Sequence, residues 1–382
     1  MESILSENTI LESRLPELLK QIANKVILGK RILPEEGLIL YERGEIGFLS
    51  MLAERVRVRL NDDKVYYIRN FHIEPTNICI NKCRFCSYSH HFSLRKWDLS
   101  LEEMLECVRN ADENIMELHI TGAVHPEKDL YYYEGLLRKI KALRPNIHVK
   151  ALSAVELDYI FKKARVNVEQ GLKFLYAAGL DSIPGGGAEI FDDKIRKEIC
   201  STKASSESWM EIHETAHQMG ITSNATMLYG HIENYNHRIR HMLLLRDSQD
   251  RYGGFNAFIP LKFKNNNNEL SAIHEASVIE DMKNYAVARI FLDNFPHLKG
   301  YWPMIGKSFA QLSLSFGVDD MDGTINDSTR IYSLAGANEQ NPQMTVSEMR
   351  TLIIEANRTP VERNSLYQPI VNQQDNKQIS LH

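Results

Sequence analysis

From about residue 64 the chain alternates short β-rich runs with longer segments whose apolar residues recur at helical spacing, the pattern left by parallel strands joined through crossover helices. Eight runs read as strands: FHIE at 71–74, ELHIT at 117–121, HVKAL at 148–152, LDSI at 180–183, TSNATM at 222–227, FNAFI at 255–259, GYWP at 300–303 and LSLSFG at 312–317. Helical segments near 100–113, 129–143, 154–178, 205–219, 234–248, 274–293, 306–311 and 345–357 fill the gaps. Eight strands close a barrel, so residues 63–360 are expected to form an α/β fold, a (β/α)8 TIM-type barrel. Ahead of it Leu15, Leu18, Leu19, Ile22 and Val26 recur at helical spacing, and Leu33-Pro34-Glu35-Glu36 reads as a helix start. With two further helices near 35–44 and 46–60, residues 1–62 form a helical preface. Asn265 to Asn268 reads as a surface loop, and residues 361–382, rich in Gln and Asn from Gln368 onward, as a polar tail.

A chain of 382 residues with 43% hydrophobic content can bury a sizeable core, and its net charge of -5 has no strong sign bias. That balance argues against a nucleic-acid or anionic-membrane partner and for a small molecule. The opening MESILSENTILESRLPELLK lacks the basic start and continuous apolar run of a signal peptide, and no stretch reaches the ~18 apolar residues of a spanning helix. A cytoplasmic protein is expected. Of the five cysteines, three lie close together and Cys107 and Cys200 stand far apart, which suits a metal site better than a disulfide framework.

The cluster reads Glu74-Pro-Thr-Asn-Ile-Cys79-Ile-Asn-Lys-Cys83-Arg-Phe-Cys86, a C-x3-C-x2-C run just after a predicted strand. Ferredoxin clusters are saturated by four thiolates and shuttle electrons; three local thiolates leave one iron open to a ligand. A structural zinc ion completed by His90 or His91 is the plainer reading. The position favours the catalytic one, because active sites of barrels lie at the C-terminal ends of the strands.

The other strand ends gather polar and glycine residues: Thr121-Gly122-Ala-Val-His125-Pro126, Ser153-Ala-Val-Glu156, Pro184-Gly-Gly-Gly-Ala-Glu189, Thr226-Met-Leu-Tyr229-Gly-His231, Pro260-Leu-Lys262-Phe263 and Asp319-Asp-Met-Asp-Gly-Thr324. Glycines let a ligand approach the backbone, and carboxylates can bind ribose hydroxyls or an ammonium group. Each also has a plain structural reading: Gly185 to Gly187 as a tight turn, His125 and His231 as satisfied imidazoles, Phe85 as core, Glu156 as a favourable charge at a helix start. His213-Glu214-Thr-Ala-His217 matches the H-E-x-x-H zinc pattern. On a helical wheel, however, Trp209, Ile212, Ala216 and Met219 share the apolar face, which places Glu214 and His217 on the solvent side, and Ser223 stands where the longer protease pattern has a third histidine.

The cysteine run is the defining motif of the radical S-adenosylmethionine superfamily, which the chain therefore resembles. That resemblance implies a 4Fe-4S cluster on Cys79, Cys83 and Cys86, S-adenosylmethionine chelated by the free iron, a low-potential electron donor, and cleavage of the cofactor's S–C5′ bond to give a 5′-deoxyadenosyl radical. It also places Phe85 beside the adenine. More closely, His72 to Tyr88, Gly122 to Pro126, Lys150 to Glu156, Pro184 to Glu189 and Ser223 to Glu233 resemble the aminofutalosine synthase family of menaquinone biosynthesis, a likeness running from the preface to about residue 360. The dehypoxanthine futalosine cyclase and the F0 synthase are near siblings.

The family resemblance implies a transferase whose adenosyl radical adds to the enol-ether double bond of 3-[(1-carboxyvinyl)oxy]benzoate, giving aminodeoxyfutalosine, methionine and bicarbonate. S-Adenosylmethionine is then a consumed cosubstrate. Gly122, Glu156 and Tyr229 are expected beside it, with Gly122-Ala123 standing where the group commonly has a glycine pair. For the two substrate carboxylates the available groups are His72, His125, His231, Lys262 and Arg196, with His125 and His231 as catalytic candidates.

Overall fold

A computed structural model describes residues 14–91, 95–324, 330–337 and 342–370. Helices Glu17–Ile27, Pro34–Arg43 and Ile46–Asn61 form where the apolar spacing predicts them, and bury Leu19, Ile22, Val26, Leu49, Leu52 and Val56. The preface is fastened to the barrel by Tyr41, whose hydroxyl donates to Asn284 Oδ1 at 2.6 Å in helix Val278–Phe291.

Ten strands follow among the described residues: β1 Lys64–Ile68, β2 Asn70–Ile73, β3 Glu117–Ile120, β4 His148–Ala151, β5 Ser182–Ile183, β6 Thr222–Tyr229, β7 Phe255–Lys262, β8 His297–Leu298, β9 Asp320–Gly323 and β10 Thr359–Glu362. Strands β2 to β8 pair in chain order as one parallel seven-stranded sheet, and β10-β1-β9 form a second. The two sheets meet at both edges. β1 runs into β2 across Arg69, while beyond β8 the Gly300 amide donates to the Asp320 carbonyl at 2.8 Å and the Asp319 amide to Leu298 at 3.1 Å. β9 thus takes the eighth seat. The intervening helices are started by local chemistry: Ser100, Ser153, Asn167 and Asn234 each cap a helix with a residue three places on closing a capping box.

Six of the eight expected strands lie where the pattern puts them, and the last two do not. GYWP falls at the short helix Trp302–Ile305, with β8 just before it. LSLSFG continues helix Lys307–Ser313 into a single 3-10 turn ended by Gly317 at φ +90°. Its alternation of Leu and Ser imitates a strand, but Leu312 is exposed while Ser313 and Leu314 are both buried, which no period of two can produce. The real partner, β9, reads Asp-Met-Asp-Gly and is unreadable from propensity; it stays buried because its carboxylates are matched, Asp320 by Arg363 at 2.6 Å and Asp322 by Lys299.

The Asn265 to Asn268 stretch is also more than a surface loop. Asn266 accepts from the Ser87 hydroxyl at 2.5 Å, Asn268 is buried and donates to Lys264 at 2.8 Å, and the Glu269 amide donates to Arg84 at 2.8 Å. The segment straps the cysteine loop from outside. Thr359–Glu362 adds β10 to β1, so the expected tail of residues 361–382 starts inside a strand with Glu362, Arg363 and Ser365 buried, and only its residues 371–382 lie outside the described residues. Among the described residues no helix is long and apolar enough to cross a membrane.

Candidate active site

A cavity opens at the C-terminal ends of the strands. Near its mouth it is lined by Cys79, Cys83, Cys86, Gly122, Ser153 and Gly185; deeper, by His72, Glu117, His119, Lys150, Lys299 and Asp322. Depth follows from register: Glu117 opens β3 while Gly122 lies beyond its end, and pairing sets His72, His119 and Lys150 in one row across β2, β3 and β4.

The cysteine loop is pinned along its length. Asn77 donates to the Arg95 carbonyl at 2.7 Å and accepts from the Trp97 amide at 3.0 Å; the Ile80 amide donates to Val124 at 3.0 Å and the Arg84 amide to Ile199 at 2.9 Å. Burial pushes the Cys83 and Cys86 thiols up, and the Lys203 ammonium pulls both down. Both histidines of the zinc reading are occupied with backbone: His90 Nδ1 lies 3.2 Å from the Cys79 amide, and His91 Nε2 3.0 Å from the Cys79 carbonyl. Among the described residues no three His, Cys, Asp or Glu side chains gather closely enough for one metal ion. Three thiols on one wall without a histidine suit a polynuclear iron-sulfur cluster, whose irons take one thiolate each, better than zinc.

The glycine loop lines the cavity as well. A Cβ on Gly185 would stand 2.6 Å from the Asn224 carbonyl oxygen, and Gly187 sits at φ +89°, so neither position tolerates a side chain. Thr226 donates to the Gly185 carbonyl at 2.6 Å, and Arg196 clamps the loop by donating to Ala188 at 2.6 Å and Ala204 at 2.5 Å. Beneath it Glu189 pairs with Lys203, whose ammonium lies 5.3 Å from the Phe85 ring centroid.

Gly122 and His72 line the cavity, Gly122 near its mouth and His72 deeper; several other candidate residues do not line it. Tyr229 is fully buried and donates to Asp281 at 2.9 Å, drawn away by that acceptor. His125 accepts the Glu127 and Lys128 amides on Nδ1 at 3.1 and 3.3 Å, a local turn. His231 is buried with Nε2 3.1 Å from the Leu228 carbonyl. Lys262 is spent on Asp281 and the Ala276 carbonyl, both at 2.7 Å, and Arg196 on its loop. Phe85, within the cysteine loop, packs against the core and is not among the cavity-lining residues.

Glu156 lies behind the wall rather than in it: it accepts from the Ser153 amide at 2.8 Å and hydroxyl at 2.7 Å, closing a capping box that holds Ser153 at the lip. Burial pushes its carboxyl up from 4.5 to about 7, against those hydrogen bonds. Between those values the unfolded chain has released this proton and the folded chain keeps it, so its contribution to stability falls as pH rises through the window. Glu156→Gln removes the dependence: urea unfolding at roughly pH 5 and pH 7.5 is expected to move the parent-minus-variant difference against the parent by about 2–3 kcal/mol at the higher pH. A difference that stays constant would refute the raised carboxyl.

The H-E-x-x-H helix corrects a further expectation. His213 and His217 are both buried, with Ser223 Oγ 2.7 and 2.8 Å from their rings, because the helix packs on β6 and His217 is covered by Phe255 and Gly254. Burial holds both imidazoles neutral, that of His217 at about 4. Glu214 turns out to Arg251 at 2.9 Å, so the three side chains do not converge.

The profile of the Radical SAM superfamily matches residues 73–245, and that of the CofH/MqnC C-terminal region residues 252–376. The chain is 42% identical over 356 residues to an aminodeoxyfutalosine synthase of Thermus thermophilus, covering 91% of this chain and 95% of that protein. The chain belongs to the aminodeoxyfutalosine synthase family of the radical SAM superfamily. A cyclic dehypoxanthine futalosine synthase of Streptomyces coelicolor is 35% identical over 94% of this chain and 90% of its own. In fold, this radical SAM enzyme is similar to a crystal structure of methylornithine synthase, with TM-score 0.70 at 17% identity over 93% of this chain and 99% of that one. The family implies a 4Fe-4S cluster and S-adenosylmethionine.

Sequence reasoning missed most of the charged interior, Glu117, His119, Lys150 and Lys299, and placed Asp322 only within a polar run at a strand end. The signal was present in ELHI and HVKA, where alternate positions carry charge inside strands that must be covered on both faces.

Proposed function

We propose that this chain is an aminodeoxyfutalosine synthase, a transferase that joins the 5′-deoxyadenosyl group of S-adenosylmethionine to the enol-ether carbon of 3-[(1-carboxyvinyl)oxy]benzoate, releasing methionine and bicarbonate. The observation that carries it is the placement of Cys79, Cys83 and Cys86 at the mouth of a cavity whose deeper wall is polar and charged, in a chain more similar to the synthase than to its cyclase sibling. A 4Fe-4S cluster, when bound, supplies the electron that opens the S–C5′ bond. The three thiolates anchor it, and the pinned loop fixes their spacing. Gly122 and Gly185 bring backbone close to the nucleoside, and Glu156 acts from behind by orienting Ser153. Tyr88, Ile331 and Tyr332 line the same cavity and exclude water from the radical. A low-potential electron donor would supply the electron.

The test is product analysis. Anaerobically reconstituted protein with dithionite, S-adenosylmethionine and the enol-ether benzoate is expected to form aminodeoxyfutalosine and methionine in equal amounts. Free 5′-deoxyadenosine as the sole nucleoside product would replace the synthase reading with that of a hydrogen-abstracting sibling.

A further inference from the structure

We infer that the floor of the cavity binds the ring carboxylate of the substrate through Lys150 and Lys299 acting together. The inference rests on the proposed reaction for one step only: the enol ether must lie at the mouth, beside the cysteines, so the carboxylate at the far end of the benzoate reaches the floor.

Lys150 and Lys299 are 6% and 3% exposed and both line the cavity. An ammonium group carries three donors. Lys150 donates to Glu117 at 2.7 Å and Lys299 to Asp322, one carboxylate each, which leaves each lysine with donors to spare in a place where water is scarce. The two cations also act on one another, Lys299 disfavouring the charge on Lys150. An anion between them relieves that repulsion and takes up the spare donors, and a carboxylate has the two oxygens to bridge both.

The surroundings were built to the same end. His119, in the same wall, has a buried Nε2 without a partner, and burial holds its ring neutral at about 3, so that nitrogen can donate to an anion without adding charge. Asp322 sits at φ +66°, a left-handed conformation uncommon outside glycine, and pairs with Lys299 through one carboxylate oxygen. Above the floor Tyr301 and Tyr332 meet edge to face with centroids 5.2 Å apart and, with Ile259 and Leu261, give the cavity an aromatic and aliphatic wall for an aryl ring. A charged floor below an apolar slot selects an arylcarboxylate lying carboxylate-down.

Calorimetric titration tests this on the reconstituted protein with saturating S-adenosylmethionine and the cluster left oxidised, so that nothing turns over. The probes are the dicarboxylate and its analogue with the ring carboxylate replaced by carboxamide. The parent is expected to bind the amide at least about tenfold more weakly, and Lys150→Met and Lys299→Met to lose most of that preference. Equal affinity of the parent for acid and amide overturns the inference without recourse to any variant, as does a preference that both variants keep. Product formation in the same preparation reports the reaction separately: a protein that makes aminodeoxyfutalosine yet binds both probes alike loses the floor assignment and keeps the reaction, and one that binds neither loses both.

Discussion

Replacing Cys79, Cys83 or Cys86 by alanine is expected to lower product formation by at least about a thousandfold and to leave protein that takes up far less than a full complement of iron and sulfide. In the proposed cluster each thiolate would be the protein's single bond to one iron, so losing one would leave two anchors, with no other cysteine lining the cavity among the described residues. His90 and His91 are held by the loop's own backbone, and the remaining cysteines do not line the cavity. Cys107 lies on helix Leu101–Asn110, and Cys200 ends helix Asp193–Cys200, buried. Cys107→Ala and Cys200→Ala are therefore expected to retain iron. Iron and sulfide determination with absorption spectra after anaerobic reconstitution checks all five variants; full occupancy in any of the first three would remove that residue from the ligand set.

Asp319→Ala is expected to destabilise the fold by about 3–5 kcal/mol, read from equilibrium urea unfolding. Asp319 is fully buried between β8 and β9, where it accepts from Arg289 and from the Leu298 amide, both at 2.8 Å, and pairs with His297 Nδ1 at 2.6 Å. Without it a buried guanidinium and a backbone amide lose their partner at the seam that completes the barrel. Asp319→Asn keeps the shape and loses the charge, and should fall between parent and alanine. A loss under about 1 kcal/mol for the alanine variant would mean that the network contributes no more than an exposed ion pair.

That seam also explains where the sequence could be read and where it could not. Strands β2 to β7 were legible because covered parallel strands need apolar and β-branched residues, and runs such as TSNATM and FNAFI supply them. β9 was not: Asp320-Met-Asp-Gly has the composition of a turn, and only Arg363 and Lys299, distant in sequence, make it a buried strand. The site divides in the same way. The cysteine run and Gly122 are local patterns, and the structure places both at the cavity. Tyr229 and Lys262 were misassigned because their position at strand ends said nothing of Asp281, the buried acceptor that claims both. His217 was misassigned because a helical wheel assumes a single buried face, whereas this helix is covered on its flank as well.

The second sheet carries a temporal consequence. Lys64, at the head of the barrel, pairs with Thr359, and Tyr66 with Asp320, so β1 finds both neighbours only in the last part of the chain. During synthesis on the ribosome that strand is an open edge until residues 320–362 have emerged, a slow and aggregation-exposed route of the kind that recruits chaperones. Until then the nascent cysteine segment sits in a vessel with one stave missing, open to whatever machinery delivers iron and sulfide.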